Sequence, residues 1–127
     1  MKIISSPGIP VPKGHYSPVI EHNGLLFISG QIPLDTETQA VPEGIAAQTN
    51  LVLSKIDTLL IESGSSRNQV LQVRIYLSDM ELWDEVNRLY AVFFGDHRPA
   101  RCIVPVGTLH YGSLIEVEAV AWVGREK

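Results

Sequence analysis

The sequence predicts an α+β fold in which a mixed sheet carries two helices on one face. Three observations lead to this prediction: an Asn-Gly turn between two apolar runs, two helical periodicities separated by an alternating pattern, and two apolar runs at the C-terminal end. In chain order they give the elements β-β-α-β-α-β-β. We expect a single domain over residues 1–127, since this length is typical of one hydrophobic core.

The N-terminal half is predicted to form a hairpin and then a helix. Residues 16–21 and 25–30 flank Asn23-Gly24, and Asn-Gly between two apolar runs is a strong hairpin signal. From about residue 42 to residue 63, apolar residues recur with a helical period. Gly64 suits the left-handed conformation that often follows a helix end.

The C-terminal half is predicted to form a strand, a helix and two further strands. Residues 71–77 alternate between apolar and polar, which indicates a half-covered strand. The segment from Ser78 to Glu81 resembles a capping box that would begin the second helix, and Gly95 would end it. Residues 102–106 and 114–123 are the last two strands. The apolar stripe of the second helix is expected to consist of Leu82, Val86, Leu89 and Phe93.

This architecture leaves one face of the sheet without helices. Apolar side chains from three predicted strands would lie on that face, and an exposed apolar area of several hundred Å² usually marks a partner surface. A homo-oligomer with closed symmetry is the simplest cover. The alternative is that loops of the same chain fold over the face.

Composition excludes several classes of function. The net charge is −4 and the Lys and Arg residues are scattered, which argues against nucleic acid as the main ligand. The first residues contain no apolar run long enough for a signal peptide or membrane span, so we expect a cytoplasmic protein. A single cysteine, Cys102, excludes an intrachain disulfide, and we expect it to be a small buried residue rather than a nucleophile. The four histidines lack ligand spacing, so no metal site is predicted.

The strongest chemical signal lies near the C-terminal end. Glu116 and Glu118 are two residues apart in an apolar strand, so both side chains project from the same face, where burial of a carboxylate costs free energy unless it is paired. Arg101 would stand near the beginning of the preceding strand, and its planar fork of donors suits a carboxylate. Two interpretations stay open. Either Arg101 pairs with one of these glutamates, across the sheet or across a subunit boundary, or it holds a substrate carboxylate while one glutamate handles a water molecule.

Five segments, in order along the chain, resemble the signatures of the RidA/YjgF family. Together they span nearly the whole sequence. They are Gly14-His15-Tyr16-Ser17-Pro18, Ile28-Ser29-Gly30-Gln31-Ile32-Pro33-Leu34-Asp35, Val86-Asn87-Arg88-Leu89-Tyr90 with Phe93-Phe94, Pro99-Ala100-Arg101, and Ile115-Glu116-Val117-Glu118-Ala119-Val120-Ala121.

The resemblance implies a chorismate-mutase-like fold and a homotrimer whose sheets form an inner barrel, with ligand sites in the clefts between subunits. It also implies hydrolysis of reactive enamines and imines, such as 2-aminoacrylate and 2-iminopropanoate, to the 2-oxo acid and ammonia without a cofactor. By the same resemblance, Arg101 binds the substrate carboxylate and Glu116 positions the water. The substrate-binding residues it implies are Tyr16, Ser29, Gly30, Ile103 and Asn87.

Three functions are therefore open. The first is deamination of 2-aminoacrylate-type intermediates. The second is hydrolysis of a different enamine, for example a 3-aminoacrylate, because His15 and the loops around the predicted pocket depart from the family pattern. The third is a non-catalytic module that binds a small carboxylate. Relatives have also been described as ribonucleases, but the acidic net charge argues against RNA cleavage by this chain.

Overall fold

The structure, a computed structural model, describes residues 1–124 and shows one six-stranded sheet with two helices packed on one face. The strands are β1 (Lys2–Ile3), β2 (Val19–His22), β3 (Leu25–Gln31), β4 (Val70–Leu77), β5 (Ala100–Pro105) and β6 (Ile115–Trp122), and the helices are α1 (Ile45–Glu62) and α2 (Trp83–Phe94). The strand order is β1-β2-β3-β6-β4-β5. Among the strands of residues 1–124, only β4 and β5 pair in parallel, which confirms the predicted mixed sheet.

The predicted hairpin, helices and later strands are all present, with small shifts at their ends. The strand β2 begins at Val19 rather than at residue 16, and α1 begins at Ile45, after Gly44 with a positive φ of 87°. The strand β1 was not predicted, because two residues are too short to show a periodicity. Asn23 and Gly24 both have positive φ angles, as a tight hairpin turn requires.

The beginning of the second helix differs from the prediction. Asp79, not Ser78, is the capping residue: its carboxylate accepts a hydrogen bond from the backbone N–H of Glu81 at 2.8 Å. A short 3-10 turn over Met80–Leu82 follows, and α2 proper begins at Trp83. As predicted, Gly95 follows the helix end, where its φ of 65° favours glycine.

The buried stripe of α2 also differs from the prediction. Its buried residues are Val86, Tyr90 and Phe94, which are spaced four apart and therefore form one row along the helix. The rings of Tyr90 and Phe94 pack against each other in a tilted arrangement, with their centroids 4.7 Å apart and 51° between their planes. The predicted Leu89 is only half-buried. Tyr90 was not part of the predicted stripe, yet it is only 6% exposed.

The core lies between the helices and one face of the sheet. Along β6, alternate residues are fully buried, and the residues between them are half-buried on the opposite face. The same alternation holds in β4 from Val73 onwards, but the prediction is wrong at Leu71, which is 44% exposed. A register irregularity between Val70 and Gln72 interrupts the alternation there.

The second face of the sheet is open, as predicted, but it is less apolar than expected. Phe27 is 47% exposed, and beside it runs a polar strip in which the Tyr76 hydroxyl donates to Glu118 at 2.6 Å. Arg74 lies 3.5 Å from the same carboxylate. Cys102, expected to be buried, is exposed, because its register partner Arg74 places it on this open face.

Neither helix within residues 1–124 combines the length and the apolar character needed to cross a membrane. Over the same residues, no group of three or more His, Cys, Asp or Glu side chains is arranged to hold a metal ion.

Candidate functional site

The predicted site residues form two groups on opposite faces of the sheet. One group, here called the guanidinium site, contains Arg101, Asn87 and Ile103 at the edge strand β5 and helix α2. The other group, here called the carboxylate site, lies around β3 and the beginning of β6. Its members are Ser29, Gly30 and Glu116. Tyr16 lies apart from them in one protomer, since it lines a pocket with Ser54, Lys55 and Thr58 of α1.

Strand register places the two charged residues on different faces. Arg101 is paired with Val73, which is buried under the helices, so Arg101 projects to the helix face. Glu116 is paired with Tyr76 on the open face. Within one protomer, an ion pair of Arg101 with Glu116 across the sheet is therefore excluded, and Glu118, two residues further along the same strand, is excluded for the same reason.

Helix α2 holds the guanidinium of Arg101 in place. Its Nη1 donates to Oδ1 of Asn87 at 2.9 Å. The guanidinium carbon lies 4.8 Å from the ring centroid of Tyr90 and 5.7 Å from that of Trp83, which are cation–π distances. Ile103 is half-buried two residues further along β5 and packs against the core. The side chain of Arg101 is thus oriented from two directions.

No acidic side chain within residues 1–124 neutralises the charge of Arg101. Within residues 1–124, the ion pairs involve Arg67, Arg74 and Arg88, not Arg101. Asn87 uses one N–H of the guanidinium, and the others remain for a bidentate carboxylate. The residue lines a groove of about 500 Å³.

Tyr90 is a residue of this site that the sequence analysis did not single out. Its hydroxyl is buried and has no hydrogen-bond partner among the described residues, which is unusual for a buried polar group. Burial raises the pKa of Tyr90 to about 12, although the nearby charge of Arg101 acts in the opposite direction. The hydroxyl therefore keeps its proton at neutral pH and remains a hydrogen-bond donor.

Glu116 defines the carboxylate site. Its side chain lies against Gly30, so closely that a Cβ atom at position 30 would overlap the carboxylate. A register shift in β3 between Ile28 and Gln31 makes this approach possible. Burial raises the pKa of Glu116 above its ordinary value of 4.5, and the charge of Glu118 raises it further, while His110 has the opposite effect.

Ser29 connects this site to the N-terminal segment. Its hydroxyl donates to the carbonyl of Ser17 at 2.6 Å, and its backbone N–H donates to the carbonyl of Pro18 at 2.9 Å. These bonds hold the segment that carries Tyr16, whose side chain is 55% exposed. The carboxylate site therefore contains an acid of raised pKa and is joined through Ser29 to the segment that carries Tyr16.

Comparison with known proteins gives a consistent result. The sequence model of the family described as Endoribonuclease L-PSP matches residues 8–123. A RutC family protein of Pyrococcus horikoshii is 41% identical over 95% of this chain and 97% of its own length. The 3-aminoacrylate deaminase RutC of Acinetobacter baylyi is 37% identical over 96% of this chain and 98% of its own. The crystal structure of RidA from a Psychrobacter species superposes with a TM-score of 0.90 at 28% identity, covering 97% of this chain and all of that one.

Proposed function

This chain belongs to the RidA/YjgF family and has the chorismate-mutase-like fold, and from that premise we propose that it hydrolyses 2-aminoacrylate and its tautomer 2-iminopropanoate to a 2-oxo acid and ammonia. The family includes deaminases, which supports an enzymatic role. The observation that carries the proposal is Arg101, whose guanidinium is fixed by α2 and lacks an acidic partner within residues 1–124.

The proposed active site is formed between subunits. The guanidinium site and the carboxylate site lie on opposite faces of one sheet, so a complete site requires that a second copy bring its carboxylate site to the first copy's groove. A closed homotrimer does this symmetrically and also covers the open sheet face. We expect sedimentation to give a mass of three times 14.0 kDa.

The mechanism follows from the two charges. Arg101 binds the substrate carboxylate through two parallel hydrogen bonds and so fixes the imine carbon in position. Glu116 of the neighbouring copy takes a proton from a water molecule as the water oxygen bonds to that carbon, which gives a tetrahedral carbinolamine. The imine reacts in its protonated form, so the carbinolamine nitrogen already carries two hydrogens when Glu116 returns the proton to it. The hydroxyl proton then passes to Glu116 as the C=O bond forms, the C–N bond breaks, and ammonia leaves. Tyr16, Ser29, Gly30 and Ile103 complete the pocket, and Asn87 supports Arg101.

The test is the rate at which the 2-oxo acid appears when 2-aminoacrylate is generated in situ by a serine lyase. We expect the wild-type protein to accelerate release, and Arg101→Ala to lower kcat/KM about 100-fold, because a charge-assisted pair with the substrate is lost. Arg88→Ala is the matched control, since Arg88 is exposed on α2 and bonds to Glu85. Full activity of Arg101→Ala would refute the assigned carboxylate anchor.

A second candidate is deamination of 3-aminoacrylate, which is supported by the 37% identity to the RutC enzyme. The same assay with 3-aminoacrylate as substrate decides between the two, because both substrates carry a carboxylate for Arg101 and differ in the position of the nitrogen. If the protein accelerates neither reaction but binds pyruvate, the site is a non-catalytic carboxylate-binding module.

A further inference from the structure

The groove beside Arg101 contains a second cation. Arg98 and Arg101 both line this groove of about 500 Å³, and none of its described lining residues is acidic. Like Arg101, Arg98 takes no part in an ion pair within residues 1–124. In a chain with a net charge of −4, a groove with two arginines and no carboxylate favours an anionic ligand.

The groove is larger than a three-carbon acid needs, since its volume falls within the range of pockets that hold ligands of drug size. The backbone positions of Arg98 and Arg101 are separated by up to about 10 Å of extended chain. Arg98 is exposed, whereas Arg101 is half-buried against α2. The two cations therefore lie at an outer and an inner position of one groove.

The groove also offers the amino group of Asn87 as a neutral donor to a ligand rich in oxygen atoms. The carbonyl oxygen of the Asn87 amide is occupied by Arg101, which leaves its amino group available. Phe94 and Pro99 supply apolar surface between these polar groups, as a short methylene chain requires.

We propose that the preferred substrates are 2-imino acids with a second carboxylate at the end of the side chain. Arg101 binds the carboxylate next to the imine, and Arg98 binds the distal one. This inference rests on the proposed function and extends it to a substrate class. The reaction is unchanged: water adds its oxygen to the imine carbon, the C–N bond breaks, ammonia leaves, and a 2-oxo diacid is released.

Binding of the products tests the role of Arg98 independently of catalysis. We compare 2-oxoglutarate with 2-oxopentanoate by calorimetry at one fixed ionic strength, because the two acids have the same chain length and differ in the distal carboxylate. The wild-type protein is expected to bind the diacid roughly 3- to 10-fold more tightly, the range of a partly exposed ion pair. Arg98→Ala should abolish this preference and leave the affinity for 2-oxopentanoate unchanged.

Arg88→Ala is again the matched control, since it changes the net charge equally on an exposed part of α2 that does not line the groove. A preference that persists in Arg98→Ala, or is lost equally in Arg88→Ala, would overturn the assignment. So would a wild-type protein that binds 2-oxopentanoate as tightly as the diacid.

A kinetic comparison separates this inference from the proposed function. An amino-acid oxidase generates the imines of glutamate and norvaline in situ, and the rate of their hydrolysis is followed. The expected result is a higher kcat/KM for the glutamate imine, which Arg98→Ala reduces to that of the norvaline imine. Equal rates for both imines in the wild type would refute the inference and leave the deaminase function intact. Hydrolysis of neither imine, together with a retained preference for binding the diacid, would refute these acids as substrates and leave only the role of Arg98 in binding; the assay with 2-aminoacrylate then decides whether the deaminase function itself stands.

Discussion

The guanidinium site and the carboxylate site treat their charged residues differently: the first orients a permanent charge, and the second disfavours the ionised form of its acid. Arg101 is held by side chains of α2 that orient its charge without neutralising it. Glu116 is half-buried against Gly30 and near a second carboxylate, so its ionised form is disfavoured. The first arrangement favours binding of an anion, and the second favours an acid that exchanges a proton. The comparison predicts that changes in the guanidinium site affect KM, whereas changes in the carboxylate site affect kcat.

The largest effect is expected from Glu116→Gln. The amide keeps the size of the side chain but cannot accept a proton from water, so kcat should fall by roughly 10²- to 10⁴-fold, the usual contribution of general acid–base catalysis. KM should change by less than about 3-fold, since no bond to the substrate carboxylate is lost. A steady-state assay with 2-aminoacrylate measures both. A large rise in KM with kcat unchanged would show that Glu116 binds the substrate rather than water.

The wild-type pH profile sharpens the same point. Because its pKa is raised, Glu116 takes up a proton at a higher pH than an ordinary glutamate does. The profile of kcat/KM should therefore have an acidic limb centred above pH 4.5, in which activity falls as the pH falls. This limb should disappear in Glu116→Gln. Its persistence in the variant would assign the titration to another group.

Gly30→Ala should have the next largest effect. The new Cβ would overlap the Glu116 carboxylate and force it from its position, so kcat should fall about 10- to 100-fold. Gly107→Ala is the matched control, because a Cβ there meets no atom within 4 Å in the described part of the chain. Circular dichroism establishes that both variants fold. Unchanged kcat in Gly30→Ala would mean that the position of Glu116 does not limit the reaction.

Asn87→Ala perturbs the guanidinium site less than removal of Arg101 does, because the positive charge stays in place. Without the bond at 2.9 Å, the guanidinium keeps its charge and its contacts with the Tyr90 and Trp83 rings but loses its hydrogen bond to α2, so KM should rise about 10-fold with little change in kcat. Asn50→Ala, at an exposed position of α1, controls for loss of an amide on a helix. A change in kcat alone would contradict the division between the two sites.

The helices, strands and turns could be predicted from the sequence because each of them has a local sequence signal. The hairpin turn at Asn23-Gly24, the period of α1 and the glycine after α2 depend only on neighbouring residues, and the structure confirms all three. The face on which Arg101 lies could not be derived in this way, because it depends on the pairing of Arg101 with Val73 in a strand distant in sequence.

The detailed geometry of the two sites could not be predicted from the sequence, for a similar reason. The contact between Gly30 and Glu116 depends on a register shift in β3, and a shift of one residue has no periodic signal. Tyr90 was overlooked because its ring and its hydroxyl give opposite indications of burial. The resemblance to the family supplied the remaining site residues, and their roles stay predictions.

The smallest expected effect is on thermal stability, and it tests whether the ionised carboxylate of Glu116 destabilises the folded protein. A folded-state pKa above 4.5 means that the folded protein binds the Glu116 proton more tightly than the unfolded chain, so ionisation of this group at neutral pH reduces stability. Glu116→Gln should therefore raise Tm at neutral pH, by at most about 3 °C. The gain should shrink as the pH falls through the raised pKa and vanish well below the ordinary pKa of 4.5, where the wild-type carboxyl is neutral in both states.

Glu43→Gln, which removes the same charge at an exposed position before α1, is the matched control in the same thermal melts. If Glu116→Gln lowers Tm at neutral pH, the ionised carboxylate stabilises the fold. The two sites would then differ in where their charged residues lie, and not in whether those charges destabilise the fold.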